Sequence, residues 1–302
     1  MKYENFTMKE HGFVGHLAEP EEGSRKAVII TMGGEKSILP GIKIAERFAD
    51  SGFCGLSMSL FGAEGLPDTV DQIPIDMFEQ AIRYLKEEKK MQSVSTYGVS
   101  MGSLFAALIA KYIEGIDHVI LVSPSHVPFE GSPDKKHMTG RSFATWRGED
   151  LPFVKPDFSK KKATKYFYDA EAGRKVLGMW IAYRDAYQDK ELEALADIHI
   201  EELNSRILMI AGTGDEAWPS DYSVKYLCKR LQESAYPKDY KAVIYPNASH
   251  LLGMMPNKER NPWLYRFLPM IGMIYKSLAI HKKDCLKAME ESEKEIINWL
   301  IQ

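Results

Sequence analysis

The chain has 302 residues, 45% hydrophobic and 27% charged, with a formal net charge of -3. This is an ordinary composition for a protein that packs a core, and it excludes a disordered chain and a sequence-independent grip on nucleic acid, which takes a marked basic excess. Three scattered cysteines, Cys54, Cys228 and Cys285, exclude a disulfide framework and a cysteine metal site.

In chain order, two β-prone pieces, Asn5 to Lys9 and Phe13 to Ala18, are expected to pair as a hairpin through a turn at His11-Gly12. The start, "MKYENFTMKEHGF", lacks the apolar stretch of a secretory signal, so a cytoplasmic address is expected. "KAVIIT", Lys26 to Thr31, has the unbroken apolar centre of a strand buried on both faces, and a helical pattern follows from Ile42 to Ala49. The rhythm repeats with a strand over Phe53 to Met58 and a helix over Pro74 to Lys90, whose stripe is Met77, Phe78, Ala81, Ile82 and Leu85. A strand over Ser95 to Val99, a helix over Met101 to Ile113 and a strand over His118 to Ser123 come next.

From Ser125 to about Asn204 the alternation breaks and no clear strand is read, which suggests an inserted lid. It resumes with a strand over Arg206 to Gly212, a helix from about Asp221, a strand over Lys241 to Pro246 and a terminal amphipathic helix. The run Phe267 to Ile280 is too short to span a membrane and holds Pro269 and Lys276, so it is read as core or pocket wall. The whole reads as one α/β domain over residues 1–302, a mostly parallel sheet with helices on both faces and a lid-like insertion at about 125–204. Ligands of such sheets bind beyond the carboxyl ends of the strands.

The chemistry concentrates at those ends. "YGVSMGSL" places Ser100 between two glycines where a strand turns into a helix. That G-x-S-x-G elbow thrusts the hydroxyl clear of the backbone and turns the N–H of Met101 toward a developing oxyanion. A hydroxyl also needs a base and an acid to orient the base. Asp215 follows the strand ending at Gly212, with Glu216 as its nearest rival, and His250 follows the strand ending at Pro246. His126 has a minor claim to touch the pocket. The loop "TMGGEKS" offers a second oxyanion N–H, from Gly34 or Glu35, and the Glu35 carboxylate as a pocket group. The chemistry this implies is acyl transfer to water, with no metal and no organic cofactor.

Four further segments carry a family resemblance: "MGGEKSILPGIKIAERFADSGF", "SLFGAEGLPDTVDQIPIDMFEQAIRYL", "WRGEDLPF" and "NSRILMIAGTGDEAWPSDYS". With "YPNASH" around the histidine, they resemble the α/β-hydrolase family. More narrowly, they resemble the C-terminal catalytic domain shared by acyl-CoA thioesterases and bile acid-CoA:amino acid N-acyltransferase. The resemblance implies Ser100, Asp215 and His250 as nucleophile, acid and base, and brings in Trp218, three residues after the acid, as a substrate-binding candidate. Mammalian members carry a β-sandwich domain before this one, so the chain is expected to resemble stand-alone bacterial members. The conjugating members use cysteine as nucleophile, so Ser100 implies hydrolysis rather than conjugation.

The expected partner is a small acyl thioester or carboxyl ester, with no nucleic acid and no membrane span; a homo-oligomer is compatible with this. Dienelactone hydrolase-like or small-ester esterase activity is the alternative within enzymes. A binding protein on the same scaffold is the alternative outside them. Lys135, Lys136, Arg141, Arg147 and Lys160 to Lys162 are candidates for phosphates of coenzyme A, with a solvated lid surface as the bland reading. Met254, Met255, Met270 and Met273 are adaptable side chains for an acyl pocket, with core packing as the alternative.

Overall fold

The computed structural model describes residues 1–132, 137–159, 166–259, 262 and 274–302. Eight strands form the central sheet: β1 Lys2–Phe6, β2 Gly15–Glu19, β3 Lys26–Thr31, β4 Cys54–Met58, β5 Ser93–Val99, β6 His118–Val122, β7 Arg206–Gly212 and β8 Tyr240–Tyr245. Their spatial order is β1-β2-β4-β3-β5-β6-β7-β8. β1 and β2 run antiparallel, as do β2 and β4, and the remaining neighbours are parallel.

The apolar runs become the central strands because both faces are covered. Val28 and Ile30 pack on one side with Ile44 and Phe48 of helix α1 (Leu39–Asp50), and Ala27 and Ile29 face the other. That second face carries α2 (Met77–Arg83), α3 (Met101–Tyr112) and α4 (Ser220–Glu233), while Ile296, Trp299 and Leu300 of α5 (Lys282–Ile301) join α1 on the first. Full burial of a side chain such as Phe48 stabilises the fold by roughly 1.5–3 kcal/mol.

Register brings the carboxyl ends of the parallel strands to one edge: Thr31 lies opposite Gly98, Val99 opposite Val122, Val122 opposite Ile210 and Gly212 opposite Tyr245.

Three expectations need correction. The first hairpin is joined by a helical turn, Met8–His11, not a tight turn. Thr7 accepts from the Glu10 N–H at 3.3 Å and caps it. The second crossover helix starts at Met77 rather than Pro74 and ends in a π-helical turn, Tyr84–Glu88, because Ile73–Pro74 pairs with Ala144–Thr145 instead. The insertion contains strands: Ala144–Trp146 against Glu149–Asp150, and Tyr166–Asp169 against Arg174–Leu177. Short helices Trp180–Ala186 and Lys190–Leu195 follow them. These strands have two to four residues each. They are held by tertiary pairing rather than by a periodic pattern.

Candidate active site

Ser100 stands between β5 and α3 with φ 59° and ψ -129°, a conformation costing a non-glycine residue on the order of 1–3 kcal/mol. The surroundings hold it there. Its N–H donates to Val122 O at 3.0 Å, and Ser103 Oγ donates to its carbonyl at 2.6 Å. A Cβ on Gly98 would lie 2.1 Å from Gly102 O, and one on Gly102 would lie 2.0 Å from Thr31 O. Only glycines let α3 seat its first turn this closely on the sheet. The Ser100 side chain is half-buried and makes no hydrogen bond among the described residues, His250 included.

Met101 is the first residue of α3, so its N–H is one of the four without an acceptor inside the helix. The loop after β3 approaches Ser100: a Cβ on Gly33 would come within 3.5 Å of Ser100 Oγ. The Gly33 N–H is engaged by Glu35 Oε1 at 3.2 Å, whereas Gly34 and Glu35 are themselves exposed on that loop.

Asp215 and His250 arrive from the ends of β7 and β8 and are both buried. His250 Nδ1 lies 2.9 and 2.8 Å from the two carboxylate oxygens of Asp215. Oδ1 also accepts from the N–H groups of Ala217 at 2.9 Å and Trp218 at 3.3 Å, which fixes the carboxylate from behind. His250 Nε2 makes no hydrogen bond to a described residue, leaving one ring nitrogen free for proton transfer.

Glu216, the rival acid, turns the other way. Its Oε1 accepts from Ser277 N–H at 2.6 Å, its Oε2 is buried without a partner, and burial pushes its carboxyl up to about 7, with Asp215 adding to the effect.

Two aromatic rings flank the imidazole. Trp218 meets it edge-on at 5.6 Å and 85°, and Tyr275 lies nearly parallel at 6.2 Å and 19°. The Trp218 indole N–H is bound to Ser123 O at 2.8 Å. Tyr275 and Ser123 escaped the sequence reading. Tyr275 lies 25 positions beyond the base in a stretch read only as core or wall. The one signal for Ser123 is its place before Pro124 at the end of a strand.

The other candidates lie elsewhere. Met254 is removed from the pocket: it is buried, its N–H donates to Tyr97 Oη at 2.9 Å, and it packs with Tyr97, Ile120 and Val122 in the core under α1 and α5. His126 is fully buried between Ser223 and Glu193. Arg141 pairs with Asp150, and Arg147 with Asp76 and Glu79, and both side chains remain more than half exposed. Lys135, Lys136, Lys160 to Lys162, Met270 and Met273 lie outside the described residues. Among the described residues no group of three or more His, Cys, Asp or Glu is placed to hold a metal ion, and no helix is long and apolar enough to cross a membrane.

A mostly parallel eight-stranded sheet with a serine on the strand-to-helix elbow, and an acid and a histidine on two later strand ends, defines the α/β-hydrolase class. A monoacylglycerol lipase of Paleococcus ferrophilus shares the fold, with a TM-score of 0.52 and 17% identity, covering 96% of this chain and 98% of that one. Within the class, residues 73–257 match the family described as BAAT / Acyl-CoA thioester hydrolase C terminal, and the chain belongs to that family. Human acyl-coenzyme A thioesterase 1 is 24% identical over 235 residues, 77% of this chain and 50% of the relative. A mouse peroxisomal succinyl-coenzyme A thioesterase is 25% identical over 207 residues, 68% of this chain and 44% of the relative. The chain thus spans about half the length of the curated relatives it matches.

Proposed function

We propose that this protein hydrolyses acyl thioesters, with coenzyme A thioesters as the substrate class, through Ser100 as nucleophile, His250 as base and Asp215 as the acid that orients it. The observation carrying this reading is the Asp215 carboxylate gripping His250 Nδ1 through both oxygens while Nε2 stays unbound. In the reaction Nε2 takes the proton of Ser100 as Oγ attacks the carbonyl carbon. The N–H groups of Met101 and Gly34 receive the oxyanion, and His250 returns the proton to the departing thiolate. Water then attacks the Ser100 acyl ester with His250 as base and releases the acid. Glu35, on the exposed loop beside Ser100, and Trp218 are the proposed substrate contacts.

The insertion is proposed to cover the site. Two bonds support this: Trp180 N–H to Glu216 O at 3.2 Å and Leu177 N–H to Ile274 O at 2.8 Å tie it to the segments that hold Asp215 and Tyr275.

The test is turnover of an acyl-CoA series of graded chain length beside p-nitrophenyl esters, with glycine and taurine present and products identified by mass spectrometry. Free acid is expected as the main product. Ser100→Ala is expected to lower kcat by on the order of 10⁶ in a folded protein. Conjugate as the main product would overturn hydrolysis, and turnover of esters alone would overturn the thioester assignment.

A further inference from the structure

Ser123 closes the strand β6 at φ 47°, directly before Pro124, and is fully buried. A serine there sits in sparsely populated backbone, made narrower by the proline that follows. Such strain persists only where the surroundings over-determine it.

Each of its polar groups is engaged. The N–H donates to Ile210 O at 2.7 Å, Oγ donates to the His250 carbonyl at 2.9 Å, and the carbonyl accepts from the Trp218 indole at 2.8 Å. Only the first is needed to continue the sheet. The other two reach the loop that carries the histidine and the ring that packs edge-on against its imidazole. Because the Trp218 backbone N–H donates to Asp215 Oδ1 and that carboxylate holds His250 Nδ1, the bonds close a circuit: Ser123, His250, Asp215, Trp218 and, through the indole, back to Ser123.

We propose that Ser123 is a positioning residue for the base: its hydroxyl fixes the His250 backbone, and its carbonyl fixes the indole that limits rotation of the ring. This rests on the reading of His250 as the base of a Ser100 nucleophile. The hydroxyl touches neither substrate nor reacting atoms, so its effect belongs to kcat. A base displaced by about 1 Å lowers the rate by on the order of 100-fold.

Two variants separate positioning from simple support. Ser123→Ala deletes the hydroxyl and keeps the strained backbone, while Ser123→Gly deletes the hydroxyl and relieves it. Both are expected to lower kcat about 10- to 100-fold with KM within about twofold, and to slow fluorophosphonate labelling of Ser100 in proportion. The glycine variant is expected to be the more thermally stable of the two. Labelling and kcat at the unaltered rate in either folded variant, or a kcat that recovers with stability in Ser123→Gly, would overturn the proposal. If the unaltered protein takes no label at Ser100, the reading of the triad itself fails and the inference falls with it. The two failures are therefore distinguishable.

Discussion

Two buried histidines in this molecule each hold a carboxylate and lie in reach of a serine-bearing element, and they do opposite things. His250 meets Asp215 through Nδ1 and leaves Nε2 unbound. His126 is satisfied at both nitrogens, by Ser223 Oγ at 3.0 Å on Nδ1 and by Glu193 Oε1 at 3.1 Å on Nε2, and Tyr187, Tyr222 and Tyr226 crowd its ring. Burial pushes the His126 imidazole down, and its Nε2 faces the Glu193 carboxylate. Burial would raise Glu193, but bonds from His126, Lys190 and Tyr222 outweigh it and bring the carboxyl to about 2. The second array ties the inserted helix Lys190–Leu195 to the end of β6 and to α4. A histidine–carboxylate pair is therefore no sign of catalysis by itself; the unspent nitrogen at a strand end is what distinguishes His250, the proposed base, from His126.

Removing the acid sharpens the comparison most. Asp215→Asn keeps the shape but disturbs the tautomer of His250, and kcat is expected to fall by on the order of 10⁴ with the fold intact. Glu193→Gln should leave kcat within a few-fold. Steady-state turnover of the two variants side by side checks this, and equal losses would erase the distinction.

Stability is expected to respond in the reverse order. His126→Leu strips one partner from a buried carboxylate that keeps Lys190 and Tyr222, and is expected to cost about 3 kcal/mol of folding free energy. Turnover per folded molecule should be unchanged. Urea unfolding together with active-site titration measures both quantities.

The smallest expected effect concerns Glu216, the neighbour of the proposed acid. Glu216 is held up to about 7 from an ordinary 4.5, so the folded state keeps a proton that the unfolded chain releases. Stability is lost as pH rises through that interval. Glu216→Gln removes the dependence: no gain is expected below about pH 4.5, and about 1–2 kcal/mol above about pH 7, once the buried amide at the orphaned oxygen is offset. Denaturation midpoints at pH 4 and pH 8 test the sign, and a loss at pH 8 would contradict it.

What the sequence made legible was what local pattern controls. Unbroken apolar runs such as Ala27 to Ile30 mark strands covered on both faces, Asp215 sits just past another such run, and the flanking Gly98 and Gly102 mark Ser100. The helical turn Met8–His11 left a signal in the capping-box spacing of Thr7 and Glu10, of which the structure keeps one half: Thr7 Oγ1 accepts from the Glu10 N–H, while the Thr7 N–H donates to His11 Nδ1. The apolar periodicity of the flanking strands overshadowed it. Contacts between remote segments were not legible. Met254 belongs to the core because Tyr97, 157 positions earlier, receives its N–H. Pairing with Ala144–Thr145 draws Ile73–Pro74 out of a helix, and nothing near residue 123 announces that its hydroxyl meets a carbonyl 127 positions away.

The anchoring of the histidine loop has a consequence for the order in which the molecule is made. Gly253 N–H donates to Ser292 Oγ at 2.9 Å, so the loop that carries His250 is fastened to α5 as well as to β5 and β6. A growing chain presents the nucleophile elbow to solvent long before Ser292 has been synthesised, and domains fold as their last required segment arrives. On the proposed mechanism, the loop that holds the base for Ser100 gains this anchor only once α5 has docked.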